Sequence, residues 1–231
     1  MPLMHPLVRE IGIEARELTI SAFRVIREKI GWILVFALAI AAVAVSTFPY
    51  DVRVHHWLTD QRVESIRMFA QYVSKWGDYT TGTFIVVAGL WVAGVVFKRR
   101  MWRTAAMACL LAASLAGLLI NPGRSLFGRP RPNTEVQDGF TGLNLNRKYH
   151  SFPSGHSGTS FGTATALAVA APAIGIPALV GATLVGWSRM YVREHYLTDV
   201  IVGASIGTFF GVAFGIAARR RRKFQGLEKS P

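Results

Sequence analysis

Ser151-Phe152-Pro153-Ser154-Gly155-His156-Ser157-Gly158 is the point at which a long polar stretch gives way to an apolar run. Pro, Ser and Gly at a helix start leave several backbone N–H groups without intrahelical partners, all pointing one way. Those donors coincide with the positive end of the helix dipole, so such a start receives anions. His156 adds a group able to carry a proton near neutral pH. The fold is decided by what the apolar run belongs to, and the anion by what the rest of the chain brings to its start.

Outward from that stretch the chain alternates between apolar segments and short basic clusters. Six apolar segments are predicted, at about 32–48, 80–97, 101–120, 156–171, 173–192 and 197–218. A membrane span needs roughly 17–25 residues of helix, so the reading is an all-α, six-transmembrane helix bundle. The fourth segment is short and carries Ser157, Thr159, Ser160, Thr163 and Thr165, which places it among other helices rather than against lipid. Residues 1–31 lack the apolar core and cleavage site of a signal peptide. Their apolar positions Leu7, Ile11, Ala15, Leu18, Ala22 and Val25, interleaved with Arg9, Arg16, Arg24 and Arg27, predict an amphipathic helix on the membrane surface. A second interfacial helix, on the periplasmic face, is predicted where Val63, Ile66, Phe69, Ala70, Val73 and Trp76 form a stripe. The expected organisation is an interfacial helix over 1–31, a six-span unit over 32–218 and a basic tail over 219–231.

A formal charge of +13 raises nucleic acid as a partner. The charge is split between apolar segments, however, which is the pattern of a cytoplasmic membrane face; no nucleic acid is expected, and the partners are membrane lipids. Lys98, Arg99, Arg100, Arg103 and the run Arg219 to Lys223 fall on one side of six crossings, with the arginine-rich N-terminus. By the positive-inside rule both termini are cytoplasmic. Cys109 is the single cysteine and reads as a small buried apolar residue. The pair His55-His56 lacks a cysteine or nearby carboxylate to complete a metal site. Gly203, Gly207, Gly211 and Gly215 make a smooth ridge for a close neighbour, in the same chain or in a second copy.

The connection from about Asn121 to Ser154 breaks the charge rule. Arg124, Arg129, Arg131, Arg147 and Lys148 lie on the outer face, where topology does not favour them. Arginine's planar fork suits phosphate oxygens. On the same face, His195 and Asp199 stand four apart, so on a helix they share a face, and a carboxylate beside an imidazole fixes its tautomer. Arginines, a histidine at a helix start and a histidine–aspartate pair on one side point to phosphoryl transfer, in which positioning and charge stabilisation supply most of the catalysis.

The sequence resembles the type 2 phosphatidic acid phosphatase family of integral-membrane lipid phosphatases. That family's three blocks are Lys-x6-Arg-Pro, Pro-Ser-Gly-His and Ser-Arg-x5-His-x3-Asp. Here Pro153-Ser154-Gly155-His156 and Ser188-Arg189 through His195 to Asp199 are complete, and Arg131-Pro132 follows Arg124, which stands where the family has lysine. Arg124 keeps the charge but changes reach and hydrogen-bond geometry.

The resemblance implies that His195 attacks phosphorus to form a phosphohistidine, oriented by Asp199. It implies that His156 protonates the leaving oxygen, and that Arg124, Arg131, Arg189, Ser154 and the Gly155 N–H hold the phosphate, with no cofactor or metal. Arg129, Arg147, Lys148, His150, Arg193 and Glu194 are then loop or headgroup residues. The expected function is hydrolysis of a lipid phosphate or diphosphate at the outer face of a bacterial inner membrane. Candidate substrates are undecaprenyl diphosphate, phosphatidylglycerophosphate or phosphatidic acid, and a lipid A phosphate. A lipid phosphotransferase shares the motifs; a non-catalytic lipid transporter would use the arginines but has no need of His195 and Asp199.

Overall fold

A computed structural model describes residues 6–134, 136–224 and 226. The predictions for residues 1–5 and for most of the tail beyond 224 therefore lie outside the described residues. Nine α-helices follow in order: α1 (Pro6–Glu28), α2 (Ile30–Thr47), α3 (Asp51–Asp60), α4 (Glu64–Trp76), α5 (Phe84–Val96), α6 (Arg100–Phe127), α7 (Gly155–Ala170), α8 (Pro172–Tyr191) and α9 (Leu197–Phe224). The count covers the described residues, among which no strand forms beyond one isolated bridge between Arg129 and His150. Among the described residues, five helical stretches are long and apolar enough to cross a membrane: Ile30–Asp60, Tyr79–Val96, Arg100–Phe127, Pro172–Tyr191 and Leu197–Lys223. The sixth expected span, α7, has 16 residues, about 24 Å of helix against a hydrocarbon core of about 30 Å. It still passes from one end of the bundle to the other, because Arg222 near the end of α9 donates to the Ala170 carbonyl at 3.3 Å. Burial in protein, not contact with lipid, accommodates its hydroxyl side chains.

The close neighbour of the glycine ridge lies in the same chain. A Cβ on Gly203 would collide with the Ser154 backbone, one on Gly207 with Gly158, and one on Gly211 with Thr165 and the Gly162 carbonyl. Helices α7 and α9 thus touch backbone to backbone, as small residues permit. Gly207→Leu is expected to destabilise the bundle by ~3 kcal/mol, since the added volume meets backbone that cannot yield. Gly181→Ala, at a position with nothing within 4 Å, is the control expected to leave thermal unfolding in detergent unchanged. An unfolding temperature for Gly207→Leu equal to wild type would contradict this packing.

Helix α1 is amphipathic as its spacing predicts, but part of its stripe is covered by protein. Leu18, Ala22 and Val25 are buried, Leu18 and Ala22 in a core shared with Ala105, Cys109, Leu167, Phe214 and Ala217. Glu28 pairs with Arg220 at 2.9 Å, Glu17 with Arg221, and Thr104 donates to Glu14 at 2.7 Å. The three basic clusters therefore gather at one end of the bundle. In contrast α2 buries none of its residues, and Trp32, Leu38 and Val45 are exposed, as suits a helix facing lipid. Helix α4 matches the second predicted amphipathic segment and packs Ala70, Val73 and Ser74 inward.

Candidate active site

At the end opposite the basic clusters, four helix ends and two connections meet. Helix α6 continues through Pro122 to Phe127, so Arg124 sits on its last turn rather than in a loop. Proline inside a helix removes one backbone bond, which neighbouring helices in a bundle can offset. Gly128, at φ 59°, ends α6 in the left-handed conformation that glycine adopts without steric cost, and turns the chain toward Arg129 and Arg131. Ser154 caps α7: its Oγ accepts from the Ser157 amide at 3.4 Å and from the Ser157 hydroxyl at 3.0 Å. What the structure shows of Ser154 is therefore a buried cap, tied also through its N–H to the Asp199 carbonyl at 2.9 Å. Helix geometry leaves the first-turn amides of Gly155 and His156 free of intrahelical partners.

His195 lies in the connection before α9, not on a helix with Asp199, because α9 begins at Leu197. The pair nonetheless meets, with Nδ1 3.6 Å from Asp199 Oδ2. The shorter contact of Nδ1 is to the Ser151 carbonyl, 2.7 Å. A carbonyl can only accept, so Nδ1 carries the proton and Nε2 keeps its lone pair. Nε2 is buried without a hydrogen-bond partner. Burial, opposed by Asp199 and reinforced by the charge of Arg189, holds the His195 pKa down to about 3. At neutral pH the imidazole is neutral, with the Nε2 lone pair unshared.

Ser151 was not singled out by motif spacing. Its carbonyl takes the His195 proton, and its hydroxyl donates to Asp199 Oδ2 at 2.5 Å. Asp199 also accepts from the Tyr196 amide at 2.8 Å, a carboxylate in the first turn of α9 reaching back to the residue before it.

Arg129 is the largest departure from expectation. Instead of a loop or headgroup residue it is fully buried. Its guanidinium donates to Asp199 at 2.6 Å, Asp51 at 2.8 Å and Asp138 at 2.7 and 2.8 Å. Its Cζ stacks 4.2 Å from the Tyr196 ring centroid and 4.8 Å from that of Phe48. Burial alone would lower the Arg129 pKa; the Asp138 hydrogen bond and the charges of Asp199 and Asp51 outweigh it, so the pKa is raised.

The expected phosphate ligands converge. Arg124 donates through Nε to the Pro153 carbonyl at 3.0 Å, and its guanidinium rests on Gly155. Arg189 donates to Ser74 of α4 at 2.5 Å, and Nε of both Arg131 and Arg189 is buried without a hydrogen-bond partner. Glu194 pairs with Arg131 and stands 3.4 Å from Arg189, so it too belongs to the site rather than to a solvated loop. His156 is within electrostatic reach of Arg189, His195, Arg124 and Arg131. Arg147 and Lys148 are exposed, as expected of loop residues, while His150 bonds the Asn144 carbonyl at 2.9 Å. A cavity of about 460 Å³ opens beside Arg124, Gly155 and His156, walled by Tyr79, Gly117 and Leu118.

The sequence pattern of the PAP2 superfamily matches residues 104–223, more than half of the chain and every motif residue from Arg124 to Asp199. The chain belongs to the PAP2 superfamily. Among curated proteins this PAP2 chain is similar to the lipid A 1-phosphatase of Rhizobium etli, 33% identical over 108 residues that make up 46% of this chain and 47% of that protein. It is also similar to the lipid A 1-phosphatase of Porphyromonas gingivalis, 31% identical over 132 residues, 54% of this chain and 27% of that protein. The chain thus spans about half or less of the length of these relatives. Two PAP2-like folds superpose on it. LpxE of Aquifex aeolicus does so with a TM-score of 0.55 and 23% identity, covering 73% of this chain and 94% of that one. A PAP2 type phosphatidylglycerolphosphate phosphatase of Bacillus subtilis does so with a TM-score of 0.58 and 22% identity, covering 82% and 96%. At those identities the likeness is one of fold.

The contact between Arg124 and Gly155 carries a prediction for this PAP2 site. A Cβ at position 155 would overlap the Arg124 guanidinium. If the site acts on lipid phosphates, Gly155→Ala is expected to lower kcat/KM by ~100-fold through displacement of Arg124, with thermal stability close to wild type. Unchanged kcat/KM would show that Arg124 does not need its seat on Gly155.

Proposed function

We propose that the protein is a metal-independent lipid phosphate phosphatase that works through a phosphohistidine. The observation that carries this reading is His195: a buried, neutral imidazole whose Nδ1 proton is held by the Ser151 carbonyl, leaving Nε2 unshared within reach of the Arg189 and Arg124 charges. In the first step the Nε2 lone pair forms a bond to phosphorus while the bond from phosphorus to the lipid oxygen breaks. His156, protonated once the negative charge of the bound phosphate offsets the surrounding guanidinium groups, gives its proton to that oxygen, so the lipid leaves as an alcohol. Positive charge developing on His195 is met by Asp199, which Arg129, Ser151 and the Tyr196 amide hold in place. In the second step water attacks phosphorus, His156 recovers a proton from it, and the bond to Nε2 breaks to release inorganic phosphate.

Arg124, Arg131, Arg189, the Gly155 amide and Ser154 hold the phosphate oxygens in this reading. The negative charge gathered in the transition state makes fixed donors most effective there. The acyl chains approach by the cavity wall at Leu118, which is exposed on the outside of the bundle. The names of the curated relatives make a lipid A phosphate the first substrate to try, with phosphatidic acid, phosphatidylglycerophosphate and undecaprenyl diphosphate beside it. The gathering of basic clusters at the far end supports cytoplasmic termini and a site on the periplasmic side of a bacterial inner membrane. In that arrangement residues 1–31 and 219–231 flank a catalytic unit over 32–218 at the cytoplasmic surface.

The test is phosphate release by purified protein in detergent with EDTA, across those four lipids, with acid quenching to trap an acid-labile, base-stable phosphoprotein. Release with EDTA present and a trapped intermediate are expected. Failure to release phosphate from any of the four would favour a lipid-binding or transport role.

A further inference from the structure

The turn between α8 and α9 aims two neighbouring side chains into the site. Arg193 adopts φ 63°, a left-handed conformation uncommon outside glycine. The amides of Glu194 and His195 then both bond the Arg189 carbonyl, at 3.0 and 3.2 Å. Glu194 is therefore fixed by backbone geometry beside the nucleophile rather than free on a loop. Its Oε2 pairs with Arg131 and lies 3.4 Å from Nη2 of Arg189, while Oε1 accepts from Asn133 at 3.3 Å. These are two of the three guanidinium groups that the proposed reaction assigns to phosphate.

A carboxylate and a phosphate oxygen compete for the same N–H donors. Arg124, Arg131 and Arg189 supply three positive charges, while Asp199 is held by Arg129, which also serves Asp51 and Asp138. Three guanidinium groups around one phosphate dianion would hold the inorganic product as firmly as the substrate, and uniform binding of that kind slows turnover once release becomes limiting. We propose that Glu194 is an internal carboxylate that exchanges with phosphate for Arg131 and Arg189, holding down the affinity for the inorganic product. This rests on the phosphatase reading above and deepens it. When a phosphate arrives, the Glu194 side chain gives up Arg131 and Arg189; when the phosphohistidine has been hydrolysed, its return displaces the product. Glu194 lies partly open to solvent, its side chain 26% exposed, so it has room to move without unpacking a helix. It touches no reacting atom and acts through the two arginines.

The experiment compares wild type, Glu194→Gln and Glu194→Asp at fixed ionic strength. The readouts are the inhibition constant of inorganic phosphate, KM and kcat for the best lipid substrate, and binding of inorganic phosphate by calorimetry. Glu194→Gln removes the competing charge and is expected to lower the phosphate inhibition constant and KM together by about tenfold or more. It should also lower kcat, with a first-turnover burst of dephosphorylated lipid, because phosphate release becomes limiting. Glu194→Asp keeps the charge on a shorter stem and is expected to fall between the two. If Glu194 instead merely props the arginines, Glu194→Gln will raise KM and the inhibition constant, and that result overturns the exchange. An unchanged inhibition constant overturns it equally. Calorimetry separates this inference from the activity beneath it. A wild-type protein that hydrolyses none of the lipids overturns the phosphatase reading, whereas tighter phosphate binding by Glu194→Gln still upholds competition for the arginines.

Discussion

His195→Ala is expected to lower phosphate release by at least ~10⁴-fold on every lipid the wild type accepts, because loss of an attacking group leaves only binding and charge stabilisation. The trapped phosphoprotein should vanish with it. Folding is expected to survive: Asp199 keeps its bonds to Arg129, Ser151 and the Tyr196 amide when the imidazole is gone. Elution as a single species and a wild-type-like unfolding curve in detergent check that half of the expectation. Retention of a tenth of wild-type activity would remove His195 from the nucleophile's role.

Arg129→Leu carries the largest expected cost in stability. Arg129 and its partners Asp51 and Asp199 are fully buried, with Asp138 at the edge. Removing this cation strands carboxylates in a site of low polarity, and breaking a buried ion pair costs about 3–5 kcal/mol. Arg129→Lys should recover part of this, since an ammonium restores charge but not the planar fork that serves three acceptors. Asp51→Asn in the Arg129→Leu background should recover part as well, by removing one stranded charge. Thermal unfolding of the four proteins in detergent decides the matter. An Arg129→Leu protein as stable as wild type would mean that the charges are solvated and that the guanidinium does not organise them.

The helical architecture could be read almost directly from apolar segments, because a lipid environment forces the backbone to satisfy itself within each segment. The expected first residues of the spans fall within two positions of the helices found at Ile30, Tyr79, Arg100, Gly155, Pro172 and Leu197. Ends were less legible. The third apolar segment ends at about 120, yet α6 runs on through Pro122 to Phe127 and carries Arg124 on a helical turn. The motif residues could be named in advance because their short blocks resemble those of a known family. Arg129 could not: its partners come from α3, from the loop at Asp138 and from α9, and no local pattern records that convergence. Ser151 escaped for another reason, since half its contribution is a backbone carbonyl that any residue possesses. Glu194 read as a solvated charge, and only the left-handed turn at Arg193 shows why it faces inward.

The close apposition of α7 and α9 bears on how the protein meets bilayers of different thickness. His156 begins one of these helices and Asp199 lies in the first turn of the other, and the Ser154–Asp199 backbone bond ties their starts together. Hydrophobic mismatch acts by tilting helices that touch lipid, and α2, with none of its residues buried, is the one most open to it. Thinning or thickening the membrane should therefore alter how readily a lipid headgroup reaches the pocket. The spacing between His156 and Asp199, clamped inside the protein, should stay constant from one host membrane to the next.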